Sequence, residues 1–106
     1  MDDILFMAWV EGRRPPLVHV TGELDLAGAP RLEAVLAGLD GDVEIDCSAL
    51  DFIDAAGLRV FRTAHDDCAA RGCSLVLVDP GPAVERLVQI VGLENLFLTR
   101  QAREAS

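Results

Sequence analysis

The sequence predicts a single small α/β domain with a mixed, mostly parallel β-sheet and helices packed on it. Short apolar runs alternate along the chain with longer segments in which apolar residues recur every three or four positions. Glycine and proline separate these segments, and the resulting order β-β-α-β-α-β-α-β is typical of parallel sheets with helical crossovers. The 106 residues fit one domain, with a core over about residues 4–99 and a short tail over residues 100–106.

The first half of the chain predicts two strands, a helix and a third strand. The run Ile4–Val10 is apolar, and a turn of glycine, arginine and proline separates it from a strand over Leu17–Gly22. Pro30 suits the first turn of a helix, whose apolar residues keep helical spacing as far as Leu39. Val43–Cys47 alternates apolar and polar residues, which predicts the third strand.

The second half of the chain predicts two further helix–strand pairs. A helix begins after Asp54 and ends at Gly72, where glycine suits a helix C-terminus. Leu75–Val78 is apolar on both faces, as is typical of a central parallel strand. The Asp79–Pro82 turn then leads into a third helix, and Leu96–Leu98 predicts a short last strand.

The composition limits the classes of partner. Eighteen acidic residues against nine arginines and no lysine give a net charge of −9, which argues against nucleic acid or an anionic membrane surface. The charge favours a basic partner, or it serves solubility alone. No secretory signal or membrane-spanning run is visible. The cysteines lack metal-ligand spacing, Cys47 and Cys68 are predicted core residues, and a cytoplasmic location is expected.

Acidic residues follow three of the predicted strands, in the segments Glu23–Leu26, Ser48–Gly57 and Asp79–Pro82. Binding sites in open α/β sheets form outside the carboxyl ends of the strands. We therefore expect one shared acidic rim, formed by Glu23, Asp25, Asp51, Asp54 and Asp79.

The rim lacks what catalysis or metal binding requires. A catalytic carboxylate pair needs a substrate cleft, and magnesium sites commonly also use substrate phosphates, for which no glycine-rich loop is present. No serine lies in a G-x-S-x-G motif. His19 is predicted on a half-buried strand face, and His65 on the inner or border face of the second helix. We therefore expect no enzyme, no cofactor and no metal.

The segment Asp54-Ala55-Ala56-Gly57 has two interpretations. As helix initiation, Asp54 caps the helix and the alanines favour it. Gly57 does not fit this account, since glycine in a helix costs about 1 kcal/mol relative to alanine. It indicates the close approach of another backbone or of a partner. A helix N-terminus also favours negative charge, which makes a binding site the alternative interpretation.

Several short segments together resemble the STAS domains of bacterial anti-sigma factor antagonists. The resemblance covers nearly the whole chain and implies a small α/β domain with a mixed sheet. Its segments are Gly22-Glu23-Leu24-Asp25, Pro30-Arg31-Leu32, the run from Leu50 to Leu58, Pro82-Ala83-Val84-Glu85-Arg86-Leu87 and Val91-Gly92-Leu93.

The resemblance implies partner switching. Such antagonists bind an anti-sigma factor that is also a serine kinase, which phosphorylates a serine after the aspartate of an Asp-Ser-(Ser/Thr)-Gly motif and so breaks the complex. Ala55 and Ala56 occupy the two hydroxyl positions, so no phosphoacceptor is expected there, and Ser48 is the nearest alternative. The partner-binding residues carried over are Glu23, Asp25, Asp54, Ala55, Ala56, Gly57, Leu58 and Arg59.

Three functions remain open from the sequence. The first is a protein-binding antagonist that sequesters an anti-sigma factor or serine-kinase-type regulator and is insensitive to phosphorylation at the motif. The second is a STAS module of a stress-signalling scaffold or of a transporter-associated complex, without direct membrane insertion. The third is a small nucleotide-binding domain or an enzyme.

Overall fold

A computed structural model describes residues 5–93 and 95–101 of the chain. The described residues form strands and helices in the order that the sequence predicts. The elements are β1 Phe6–Glu11, β2 Leu17–Leu24, α1 Ala29–Ala37, β3 Val43–Ile53, α2 Ala55–Ala70, β4 Leu75–Val78, α3 Gly81–Ile90 and β5 Leu98–Arg100. Ile4 of the first predicted strand and residues 102–106 of the predicted tail lie outside the described residues.

The strands form one sheet in the spatial order β1-β2-β3-β4-β5. β1 runs antiparallel to β2, and every other neighbouring pair is parallel. Each parallel pair is joined through a helix, because parallel neighbours need a long crossover connection. The predicted fold class, a small α/β domain with a mixed and mostly parallel sheet, is therefore confirmed.

β3 is longer than predicted, because it continues past Cys47 to Ile53. Two irregularities in its pairing with β2 explain the difference. One extra β3 residue lies opposite the β2 segment His19–Thr21, and a second lies opposite the step from Gly22 to Glu23. Each added residue is a β-bulge, which turns the following side chains to the other face. The buried positions of β3 consequently change from alternate residues to every third residue: Cys47, Leu50 and Ile53.

One cluster of buried apolar residues joins the sheet to all three helices. Val18 and Val20 point into this cluster from β2, while His19 between them is half-buried on the opposite face, as predicted. Cys47 and Cys68 are also buried in it, again as predicted. The largest of its fully buried side chains are Phe61, Leu24, Leu32, Ile45, Leu75 and Leu77.

The last strand begins two residues later than predicted. Phe97, at the centre of the predicted strand, precedes β5 and is buried. Its ring packs edge-on against Phe61, with 6.3 Å between the ring centroids, and against His65 at 5.8 Å. Leu98 starts β5 by pairing with Val76 and is exposed. The apolar run Leu96–Leu98 therefore consists of loop residues, of which Phe97 packs into the core, followed by the first residue of β5.

The opposite face of the sheet carries a polar cluster around His19. Its ring stacks on Trp9, and its two nitrogens lie 3.1 Å from a carboxylate oxygen of Asp46 and 2.9 Å from one of Glu11. Burial alone would raise the pKa of Asp46, but hydrogen bonds from Ser48 and from His19 outweigh burial and lower it. The histidine thus has a structural role within the sheet.

Candidate docking site

Asp54 lies between β3 and α2 in the chain, and its hydrogen bonds connect the end of β2 to the start of α2. Its backbone N–H donates to the carbonyl oxygen of Leu24 at 3.2 Å. Its side chain accepts a hydrogen bond from the Gly57 N–H at 3.0 Å, and its carbonyl oxygen accepts one from Leu58 at 2.9 Å. The extended backbone of Asp54 and these bonds are those of a helix N-cap. The predicted capping role is therefore confirmed.

Replacing Asp54 separates its capping role from its charge. Asp54→Ala removes the bond to Gly57 and should lower the free energy of unfolding by about 1 kcal/mol. Asp54→Asn keeps a good capping group and should leave stability within about 0.5 kcal/mol of wild type. Urea unfolding followed by circular dichroism measures both. Equal losses for the two variants would contradict the role of the cap.

Asp25 organises the neighbouring loop in a similar way. One of its carboxylate oxygens accepts hydrogen bonds from the N–H groups of Ala27 at 3.0 Å and Gly28 at 3.1 Å. Its carbonyl oxygen accepts a further bond from Ala29, the first residue of α1. This Asx-type turn fixes the loop between β2 and α1 beside the start of α2. Asp25 and Asp54 both hold the backbone of the site while adding negative charge to it.

Gly57 lies so close to β2 that a side chain has no room. A Cβ atom there would lie 2.6 Å from the carbonyl oxygen of Leu24 and 3.0 Å from a side-chain carbon of Ile53. The close approach indicated by the sequence is therefore made by the chain's own backbone. Gly57 and Leu58 are both buried. Their predicted place on a partner-contacting surface is corrected, because they support that surface from beneath.

The remaining predicted contact residues reach the surface. Glu23, Ala55 and Arg59 are exposed, and Asp25, Asp54 and Ala56 are half-buried. Leu26 joins them at 77% exposure, the highest among the exposed large apolar side chains in the described part of the chain. We call the following set the docking surface: Glu23, Asp25, Leu26, Asp54, Ala55, Ala56 and Arg59.

Sequence reasoning placed Leu26 in an acidic loop but missed its role in the surface. An apolar residue between an acid and a helix start was the available signal. A shallow groove of about 200 Å³ between α1 and α2 is lined in part by Leu26, Ala56 and Arg59. A smaller groove on the other side of the loop is lined in part by Glu23 and Asp25. The docking surface therefore combines negative charge with an exposed apolar side chain and two recesses.

Asp79 lies away from the other predicted rim acids. β4 ends at Val78, which pairs with Asp46 of β3. β3 then continues through residues 47–53. At about 3.3 Å per residue this extension is roughly 20 Å long. The prediction of one shared rim is therefore wrong for Asp79. The acids that the structure brings to this end of the sheet are Glu23, Asp25, Asp51 and Asp54.

The surface has the chemistry of protein recognition. Within residues 5–93 and 95–101, no group of three histidine, cysteine, aspartate or glutamate side chains is arranged to hold a metal ion. Over the same residues, no helix is both long and apolar enough to cross a membrane. Exposed carboxylates around a leucine suit contact with a partner that offers basic and apolar groups.

The fold and this surface define a small α/β interaction module. A sequence model of the family described as "Mlab, STAS domain" matches residues 7–99. The chain belongs to the STAS-domain family.

Two relatives of similar sequence are named as anti-sigma factor antagonists. The chain is 33% identical to the provisionally named anti-sigma factor antagonist BtrV of Bordetella bronchiseptica over 89 residues, which cover 80% of this chain and 77% of BtrV. It is 29% identical to the anti-sigma-B factor antagonist of Staphylococcus aureus over 91 residues, or 82% and 84% of the two chains.

A solved structure of an anti-sigma factor antagonist from Mycobacterium paratuberculosis superposes with a TM-score of 0.76 at 29% identity. The match covers 90% of this chain and 85% of the other. These relatives are named as regulators and not as enzymes.

Proposed function

We propose that this chain is an anti-sigma factor antagonist that binds an anti-sigma factor or serine-kinase-type regulator through the docking surface. It works in the cytoplasm by partner switching, in which its binding releases a sigma factor from the regulator. Its binding is insensitive to phosphorylation at the start of α2. The observation that carries this last part of the proposal is the exposed methyl group of Ala55 directly after the Asp54 cap.

The absence of a hydroxyl group on Ala55 supports the proposal that phosphorylation at the start of α2 does not control partner binding. Ala55 and Ala56 are the first two residues of α2, and neither side chain can accept phosphate. Ser48 lies six residues before Asp54 on β3, so it is not at the helix start. The antagonist would therefore be regulated by its abundance, or by modification elsewhere.

The electrostatics of the surface support a basic partner. Glu23, Asp25 and Asp54 surround one end of the sheet, and the whole chain carries a net charge of −9. Opposite charges across an interface accelerate association and exclude like-charged partners. Leu26 adds an apolar side chain that a partner can bury.

Charge reversal within the docking surface tests the proposal. The native host's binding partner is first captured with the tagged chain and identified by mass spectrometry. Glu23→Lys should then weaken its binding at least tenfold in a calorimetric titration, because it reverses an exposed charge of the docking surface. Glu85→Lys on α3 is the matched control, since Glu85 is also exposed and the change in net charge is the same. Its affinity should stay within about twofold of wild type.

Two outcomes contradict the proposal. One is the capture of a partner that has no anti-sigma or kinase activity. The other is equal weakening by Glu23→Lys and Glu85→Lys, which would mean that net charge and not this surface governs binding. A transporter subunit or a scaffold protein as the captured partner would favour the alternative STAS functions predicted from the sequence.

A further inference from the structure

α2 ends in a Schellman motif, and its first and last residues are both cysteines. The N–H of Cys73 donates to the carbonyl oxygen of Cys68 at 2.8 Å. The N–H of Gly72 donates to the carbonyl oxygen of Ala69 at 3.2 Å, and Gly72 has a φ of 76°. These two bonds and the left-handed glycine define the motif, in which the first and last residues commonly make a side-chain contact.

The backbone bond limits how far apart the two cysteines can be. Its N–O distance of 2.8 Å, added to standard bond lengths, keeps their α-carbons within about 7 Å of each other. Cysteines whose α-carbons are further apart than this cannot be bridged without backbone movement. The Sγ atom of Cys73 also points back along the turn, lying 3.3 Å from the carbonyl oxygen of Cys68.

We propose that Cys68 and Cys73 are a redox modification site, at which a hydroperoxide produces a reversible disulfide across the end of α2. The bridge would link the last turn of the helix to the segment that leads into β4. The site is independent of the docking surface, which lies at the opposite end of the same helix.

The environments of the two thiols assign their roles. Cys68 is 3% exposed, whereas Cys73 is half-exposed, so Cys73 is the thiol that meets an oxidant first. Burial raises the pKa of Cys68, and the neighbouring Cys73 thiol raises it further, while the guanidinium of Arg71 opposes both. The buried Cys68 thiol is therefore the less reactive of the two toward an oxidant in solution, and it acts as the resolving thiol once Cys73 has been oxidised.

The reaction proceeds in two steps. The Cys73 thiolate attacks one peroxide oxygen, so that an S–O bond forms, the O–O bond breaks, and the alkoxide or hydroxide released takes up a proton. The sulfur loses two electrons to the peroxide and becomes a sulfenic acid. The Cys68 sulfur then attacks it, so that the S–S bond forms, the S–O bond breaks, and the hydroxyl leaves as water with the Cys68 proton. A dithiol reductant restores both thiols.

Cys47 serves as an internal control. It is 1% exposed in the centre of β3, and burial raises its pKa to about 12. A thiol with this pKa and no access to solvent reacts slowly with peroxide while the protein is folded.

The arginines of the chain allow a direct test by trypsin digestion. Cleavage after Arg62, Arg71 and Arg86 puts Cys68 in the peptide 63–71 and Cys73 in the peptide 72–86. The folded full-length chain is treated with hydrogen peroxide, its free thiols are alkylated in denaturant, and it is digested without reductant. The expected result is one species with the summed mass of the two peptides less two hydrogens. Dithiothreitol should convert it back to two separate peptides.

Variants make the outcome decisive. Cys73→Ser should abolish the linked species, and Cys47→Ser should leave its yield unchanged. Thermal unfolding establishes that each variant is folded at the temperature of oxidation. The proposal is overturned if both thiols remain alkylatable after peroxide treatment. It is also overturned if Cys73 is found only as sulfinic or sulfonic acid, or linked to Cys47 or to a second chain.

Discussion

Replacing Ala55 with serine is expected to give the protein a phospho-switch at the start of α2. Ala55 is exposed and is the first residue of α2, directly after the Asp54 cap. A phosphoserine there would add a charge of about −1.5 to −2 beside Asp54 and the other acids of the docking surface. Since 1.4 kcal/mol corresponds to a tenfold change in affinity, even modest repulsion at the contact should lower partner binding by tenfold or more.

The measurement compares wild type and Ala55→Ser with the captured kinase-type partner and ATP. Mass spectrometry should find phosphate at position 55 of the variant, and only its phosphorylated form should lose affinity. Ala83→Ser on α3 is the matched control, because Ala83 is also exposed near a helix start. It should remain unmodified. Ala55→Asp should weaken binding without any kinase.

Three results would count against this account. Phosphate on Ser48 or Thr63 of the wild-type chain would contradict its phospho-insensitivity, if that form no longer bound the partner. Phosphorylated Ala55→Ser that binds as tightly as the unmodified variant would show that the start of α2 is outside the interface. The same conclusion would follow if Ala55→Asp left affinity unchanged.

Gly57→Ala is expected to lower the free energy of unfolding by about 2 kcal/mol. Helix propensity alone predicts the reverse, because alanine is favoured over glycine by about 1 kcal/mol within a helix. The added methyl group would lie 2.6 Å from both the Leu24 carbonyl oxygen and the Leu24 Cγ. Backbone cannot yield as a flexible side chain can, so the first turn of α2 must move, and such overpacking typically costs about 1–3 kcal/mol.

Gly38→Ala is the matched control for this prediction. Gly38 ends α1 with a φ of −85°, and a Cβ there would make an ordinary contact of 3.7 Å with the Val35 carbonyl oxygen. Urea unfolding should show Gly38→Ala within about 0.5 kcal/mol of wild type or slightly more stable, because alanine restricts the unfolded chain. A Gly57→Ala variant as stable as wild type would mean that α2 can withdraw from β2 without cost.

The regular parts of the fold could be predicted from the sequence because each follows one period. Helical spacing located all three helices, and alternation located β2 and the first half of β3. The second half of β3 was missed because the bulges replace alternation with a spacing of three, seen at Cys47, Leu50 and Ile53. A bulge depends on pairing with a neighbouring strand, so the local sequence does not reveal it.

The local backbone of the candidate site could be predicted in part, but the burial of its residues could not. Asp54 was correctly interpreted as a helix cap, and Gly57 as a position of close approach. The sequence could not tell which backbone approaches Gly57, because that depends on how β2 ends at Leu24. The placement of Asp79 failed for a similar reason, since the length of β4 relative to β3 is a property of their register.

The bulges of β3 have a consequence for how this chain tolerates sequence change. The first bulge reverses which residues of β3 face the core, and the second bulge reverses it again. Ile53 therefore points inward immediately before the Asp54 cap. A regular strand that lost one residue here would turn Ile53 outward. Deleting Asp51 instead removes the second bulge, so Phe52 and Ile53 follow Leu50 in regular alternation and Ile53 still points inward before the Asp54 cap. In this segment a bulge allows the chain to lose one residue without changing which side chains face the core.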